Sequence, residues 1–309
     1  MTDSSLVVTT ELIDPDLLDL DLQDNDAIVC KLLDSQQRAV TAVNSARAWL
    51  DKAITLSASK LSQGDGRLVM VGAGASGRLA VQDGAELWPT FSWPAERLLC
   101  VMAGGDEALV RSVEGVEDDA QVAIKQVKSY QICSQDVVLC VAASGRSPWT
   151  CQWLAESCKA GALGIGMANN VDTPLLQLAD CPVFLDTGAE VLAGSTRMSA
   201  GTAQKIALNL FSTTLMIRLN RTYGNLMVDM GAVNSKLDQR RIRLLQAVLP
   251  HIDDEHAQAC INQADGWVKL AVLVACGDSP ETATQRLDAH AGSLRQALAE
   301  VNASPVSHI

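Results

Sequence analysis

The chain has 309 residues and a formal net charge of -12, with 48% hydrophobic and 19% charged residues. That balance suits a globular protein with a sizeable core in two units, and the negative charge repels a polyanion, which excludes nucleic acid as an expected partner. No segment has the unbroken apolar length of a bilayer span, so no membrane partner is expected. The opening MTDSSLVVTTELIDPD lacks a basic region followed by an apolar core, so the expected address is cytoplasmic.

In chain order, residues up to about Pro15 read as a mobile or partner-clasping arm, followed by a helical pattern through Leu17, Leu18, Ile28 and Leu32 and then Val40, Val43, Ala46 and Leu50. The turn SQGDG (Ser62 to Gly66) precedes a continuous apolar run, Arg67 to Val71, of the kind buried in a parallel sheet. Further strands are expected at Leu98 to Met102, Val137 to Ala142, Ala162 to Met167 and Pro182 to Leu185, separated by helical stretches. This alternation predicts an α/β fold, a doubly wound parallel sheet. After Thr202 a long amphipathic helix runs through Ile206, Leu208, Phe211, Leu215 and Leu219, with Ser199 or Thr202 in its first turn. From Val248 onward, short helices at His256 to Ala264, Trp267 to Ala275, Pro280 to His290 and Leu294 to Val301 predict a small helical subdomain. The expected division is therefore 1–248 and 249–309.

Three stretches share one grammar, a β-like apolar run, a turn of small residues ending in arginine, then a helix. They are LVMVGAGASGRLA (Leu68 to Ala80), VVLCVAASGRSPW (Val137 to Trp149) and EVLAGSTRMSAGT (Glu190 to Thr202). Small-residue turns feeding a helix N-terminus expose backbone N–H groups at the positive end of the helix dipole, which suits a phosphate. In a doubly wound sheet these turns fall at the carboxyl ends of strands, where ligands bind. Gly72, Gly74 and Gly77 formally fit a dinucleotide fingerprint, but no second strand with a ribose-binding acid follows at the required distance. Ser147 before Pro148 predicts a helix N-cap directly beneath the Ser144-Gly145 turn.

Nine cysteines are scattered without CxxC pairs, and several lie in apolar runs where a reduced thiol acts as a small hydrophobe. The four histidines, His251, His256, His290 and His308, lack metal-ligand spacing. Glu86, beside Trp88 and Pro89, is placed for partial desolvation, which suits acid catalysis. Glu117, among Glu114, Asp118 and Asp119, reads from its local sequence as a solvated acidic helix end.

The stretches GAGASGRLAVQDGAE, AGGDEALVRSVEGVEDD, VAASGRSP, GSTRMSAGTAQKIALN, YGNLMVDMGAVNSKL and QRLDAHAGSLRQAL resemble, in order and over nearly the whole chain, the N-acetylmuramic acid 6-phosphate etherase family. That family lies within the sugar isomerase (SIS) domain proteins, related to the glucokinase regulatory protein. The resemblance implies a homodimer with a five-stranded parallel sheet, no metal or nucleotide cofactor, and a small-molecule sugar phosphate as ligand. The implied activity is cleavage of the D-lactyl ether of N-acetylmuramic acid 6-phosphate in cell-wall sugar recycling. Glu86 and Glu117 are the implied catalytic pair, and Gly74, Ser76, Gly77, Ser144, Gly145, Ser147, Ser195 and Thr196 the implied substrate-binding residues. A sugar-phosphate-sensing regulator and an aldose–ketose phosphosugar isomerase are the alternatives. The chain departs from the family pattern at Leu87 and Trp88, at ANNVDTPL (Ala168 to Leu175), at Ala189, and at Ser199, where a lysine is usual.

Overall fold

The computed structural model describes residues 8–229 and 238–303. The first seven residues of the arm, the end of the YGNLMVDMGAVNSKL stretch and His308 lie outside them. The chain divides into two compact units, Met1–Ala85 with Ala95–Thr213, and Glu86–Pro94 with Thr214–Ile309.

The first unit is built on five strands, β1 (Leu68–Gly72), β2 (Leu98–Met102), β3 (Val137–Val141), β4 (Leu163–Ala168) and β5 (Cys181–Phe184), all parallel in the order β2-β1-β3-β4-β5. β1 and β3 are buried along their whole length, so they carry apolar side chains on both faces and no polar alternation. β2 and β5 at the edges alternate or are half-buried. Each strand falls within a residue or two of its expected position, because an apolar run bounded by turn residues has few other places to go.

Helices α1 (Asn25–Ser45) and α2 (Arg47–Leu61) precede the sheet, and α2 packs against β3, β4 and β5. Between strands run α3 (Gly74–Ala85), α4 (Leu87–Phe91), α5 (Glu107–Val110), α6 (Ala120–Ser129), α7 (Pro148–Lys159) and α8 (Pro174–Leu178). Helices α6 and α7 cover the face that carries Val69, Val71, Val138 and Cys140, through Val127, Trp149, Trp153 and Leu154. The two indole N–H groups both donate to Gln126 Oε1, at 3.1 and 3.0 Å, so these buried rings leave no donor unpaired.

The long helix α9 (Ser199–Arg218) opens at Ser199, one of the two first-turn residues that the sequence offers. The arm departs from expectation. From Val8 it forms short 3-10 turns, Thr9–Glu11, Pro15–Leu17 and Leu20–Leu22, and Thr10 is fully buried against its own chain.

The second unit contains α4 and the helices α10 (Asp238–Val248), α11 (Asp254–Gln263), α12 (Val268–Ala275), α13 (Pro280–Ala289) and α14 (Leu294–Ala303). Its core centres on α12, where Val268, Ala271, Val272 and Leu273 are inaccessible, with Leu245, Ile261, Ala283 and Leu298 around them. Asp253 and Ser279 cap α11 and α13, accepting from the N–H groups of His256 and Thr282.

All nine cysteines are free thiols, and burial pushes those of Cys100, Cys151 and Cys158 up to about 11. Among the described residues no helix is long and apolar enough to cross a membrane.

Candidate functional site

In the order β2-β1-β3-β4-β5 the chain reverses its winding between β1 and β3, and such a switch point opens a crevice at the strand carboxyl ends. Gly72 pairs with Val141 across that boundary, so the first and second small-residue turns leave the sheet side by side. At the first turn Gly74 opens α3 with φ +55° and Ser76 and Gly77 are buried in its first turn. Its arginine, Arg78, does not turn toward a ligand. Its guanidinium donates to the carbonyls of Leu109 (3.2 Å) and Arg111 (2.9 Å) and so pins the loop after β2.

The second turn is anchored in detail. Gly145 has φ +63°, its N–H donates to Ala142 O, and Ser144 Oγ accepts from the N–H of Arg146. Ser147 is the N-cap of α7, accepting from the N–H of Thr150, with Pro148 at the first helical position as the sequence predicts. The Ser147 hydroxyl also donates to the carbonyl of Glu117 (3.2 Å), and the N–H of Trp149 donates to the same oxygen (2.9 Å). The Glu117 backbone is therefore clipped to the N-terminus of α7 while its side chain stays exposed. Asp119, two residues on, caps α6 by accepting from the N–H groups of Gln121 and Val122, which explains the acidic cluster around Glu117.

Two buried polar atoms at the second turn have no hydrogen-bond partner among the described residues, Thr173 Oγ1 and Arg146 Nε. Buried polar groups are normally paired, so orphans at a turn of this kind mark a place where a ligand oxygen or water completes the set. Thr173 is inaccessible and lies against Gly145, where an added Cβ would meet its Oγ1 at 2.3 Å. The sequence reading missed Thr173. The signal was present, because Thr173-Pro174 repeats the cap-and-proline signature of Ser147-Pro148 at the start of α8.

The third stretch is built differently. Its lead, Glu190 to Leu192, is irregular chain beyond β5, not a strand. Glu190 is buried, and its two carboxylate oxygens accept from the N–H groups of Ser199 (2.9 Å) and Ala200 (2.8 Å), the opening of α9. The positive end of this helix is thus occupied by the chain's own anion. Ser199, where the related pattern has lysine, is inaccessible, and its hydroxyl donates to Ser35 O in α1. Ser195 and Thr196 are half-buried in the loop ahead of the helix, and Arg197 is exposed.

Glu86 belongs to the second unit. It precedes α4, a single turn whose inward face is Leu87 and Phe91, so Glu86, Trp88 and Pro89 all face outward. The desolvation expected from Trp88 and Pro89 is absent in the single chain. The far end of α4 is tied down firmly. Ser92, at φ 47°, donates through Oγ to the carbonyl of Asp229 (2.7 Å), and the Asp229 carboxylate meets Arg221 (2.9 Å) and the buried Lys269 (3.1 Å). Burial holds the Lys269 ammonium below the usual lysine value, with Asp229 opposing the shift. Arg221 also stacks over Trp93.

A doubly wound sheet with this strand order and paired Gly/Ser turns at its switch point defines a sugar isomerase (SIS) type domain, and residues 50–157 match the family model for the glucokinase regulatory protein N-terminal SIS domain. An N-acetylmuramic acid 6-phosphate etherase from Deinococcus radiodurans is 47% identical over 292 residues, covering 94% of this chain and 95% of that protein. One from Halalkalibacterium halodurans is 36% identical over 296 residues, 96% and 99% of the two chains. Among solved structures, a phosphoheptose isomerase from Francisella tularensis superposes with a TM-score of 0.49 at 18% identity, covering 62% of this chain and 97% of that one. The chain belongs to the N-acetylmuramic acid 6-phosphate etherase family.

Proposed function

We propose that this protein cleaves the D-lactyl ether of N-acetylmuramic acid 6-phosphate, giving N-acetylglucosamine 6-phosphate and D-lactate. The observation that carries the reading is near-full-length identity of 47% to an etherase, with both glutamates in the stretches that resemble the family. The adjacent turns at the switch point, with the orphaned Thr173 Oγ1 and Arg146 Nε, support an oxygen-rich ligand there.

In this reading Gly74, Ser76 and Gly77 from the first turn, Ser144, Gly145 and Ser147 from the second, and Ser195 and Thr196 from the third hold the phosphate and sugar hydroxyls. Their roles differ. The Ser147 hydroxyl is engaged in capping, so its contribution is to aim α7, whereas Ser76, Ser144 and the half-buried Ser195 and Thr196 are the hydroxyls left to reach a ligand.

The chemistry asks for two carboxyl groups in opposite protonation states. In the open-chain aldehyde the C2 proton is acidified by the neighbouring carbonyl. Glu117 as carboxylate takes that proton, the C3–O bond breaks, and Glu86 as carboxylic acid protonates the departing lactate oxygen. Water then adds across the unsaturated aldehyde, its hydroxyl to C3 and a proton to C2. Both side chains are exposed in the single chain, so in this reading water must leave Glu86 before it acts as the acid. The same reading makes the protein a cytoplasmic homodimer serving cell-wall sugar recycling. Val29, Leu33 and Val40, exposed along one side of α1, support an apolar surface that a second copy would cover.

Incubation with N-acetylmuramic acid 6-phosphate should release D-lactate, and Glu86→Gln and Glu117→Gln should each cut the rate by about 100-fold or more, the usual weight of a general acid or base. Binding of the sugar phosphate without lactate would instead establish the sensing alternative. Conversion of an aldose phosphate to a ketose phosphate would establish the isomerase.

A further inference from the structure

Thr10 is a polar residue in an arm whose leucines and isoleucine are largely exposed, yet it is inaccessible. Its N–H donates to Asn170 Oδ1 (3.3 Å), its Oγ1 accepts from Asn170 Nδ2 (3.0 Å), and its carbonyl accepts from the N–H of Gly194 (3.1 Å). Asn170 Nδ2 donates also to the carbonyl of Ala143 (3.0 Å). One residue of the arm and one beyond β4 thereby join the chain just before Ser144 to the chain just before Ser195.

The chemistry of these contacts separates two roles. If the arm merely needed an anchor, an apolar side chain would serve, since burying an amide and a hydroxyl gains little over an apolar contact and is costly when any partner is lost. Thr10 instead meets Asn170 through two hydrogen bonds that fix distance and orientation together. Its neighbours give it no apolar reason to be buried, because Leu12, Ile13 and Leu18 are all exposed. Both bridged carbonyl and amide positions immediately precede hydroxyls assigned above to the ligand.

We propose that Thr10 and Asn170 form a latch that sets the spacing of the second and third turns, making Thr10 a positioning residue for the sugar phosphate. The proposal rests on the etherase reading of the site. The latch holds the chain just before Ser144 and Ser195, both assigned to the ligand, so its effect falls on ligand binding before it falls on proton transfer.

The test compares Thr10→Val, which keeps shape and backbone bonds but removes the hydroxyl, with Thr10→Ser, which restores it. For the valine variant the KM for N-acetylmuramic acid 6-phosphate, and the Kd for N-acetylglucosamine 6-phosphate by calorimetry, should rise about threefold to tenfold, the weight of one hydrogen bond. Its kcat should fall by less than its KM rises, and Thr10→Ser should return both constants to within about twofold of the parent, as fits a retained hydrogen bond. Unchanged KM and Kd in Thr10→Val with a lowered Tm would overturn the latch and leave an arm that is only an anchor. Equal losses in the valine and serine variants would overturn it too. A parent protein that binds the product sugar phosphate yet releases no lactate would sink the etherase reading alone, and the Kd comparison would still judge the latch. A parent that neither binds nor cleaves would sink both.

Discussion

Gly145 and Gly74 hold similar left-handed backbone conformations, φ +63° and +55°, in the second and first turns. Their surroundings differ sharply. A Cβ on Gly74 would meet nothing within 4 Å, whereas one on Gly145 would meet Thr173 Oγ1 at 2.3 Å and its Cβ at 2.6 Å. Gly74→Ala should therefore cost only the conformational penalty, about 1 kcal/mol. Gly145→Ala should add overpacking against a fully buried neighbour and cost about 2–4 kcal/mol in all, measured by urea unfolding. Equal costs would show that the Thr173 contact yields freely. The sequence makes both glycines visible as turn residues, since the apolar run, the small residues and the Ser-Pro cap are all local. Thr173 is not visible at this turn, because it arrives from the loop after β4, 28 positions away, and no local pattern announces that approach.

The five strands and most helices are legible for the same reason, each being a contiguous pattern with turn residues at its ends. The opening of α9 is the exception. Glu190 lies nine residues ahead of Ser199, too far for a local capping pattern, and its side chain returns through an irregular loop to accept two backbone N–H groups. The apolar Val191 and Leu192 ahead of a small-residue turn read locally as a strand leading into a phosphate turn, and that side-chain return lies outside any such local pattern. Glu190→Gln keeps the shape but replaces one of the two accepting carboxylate oxygens by an amide nitrogen, which cannot accept from an N–H. It should cost about 2 kcal/mol of stability, the weight of a buried charge-assisted hydrogen bond with the favourable dipole term. Matching denaturation midpoints for Glu190→Gln and the parent would show that the carboxylate is not what holds this helix end. The arm was legible as an appendage but not as a latch, because its anchoring partners, Asn170 and Gly194, are separated from Thr10 by more than half the chain.

For the molecule as a whole, the formal charge of -12 makes the carboxylates that sit against cations decisive in acid. Asp136, inaccessible just before β3, meets Arg67 just before β1 at 2.7 Å and accepts from the N–H groups of Arg67 and Cys133. Burial alone would raise its pKa, but the hydrogen bonds from Arg67 and the two backbone groups outweigh it and hold the carboxyl below its ordinary value. A carboxyl lowered in the folded state contributes stability that is present at neutral pH and disappears as pH falls below about 4 through the folded value. Asp136→Asn should lower stability at pH 7 and flatten the acid limb of the stability curve, seen by denaturation between about pH 2 and 6. An unaltered acid limb would place the acid-labile contacts elsewhere. The inward carboxylate of Glu190 reaches further than the stability of one helix. A motif recurring three times invites the count of three open helix termini for an external anion, but the terminus of α9 is already plugged by the polypeptide itself. Recurrence of a loop pattern therefore does not fix how each copy meets a ligand, since the third turn can offer the hydroxyls of Ser195 and Thr196 but not a free helix terminus.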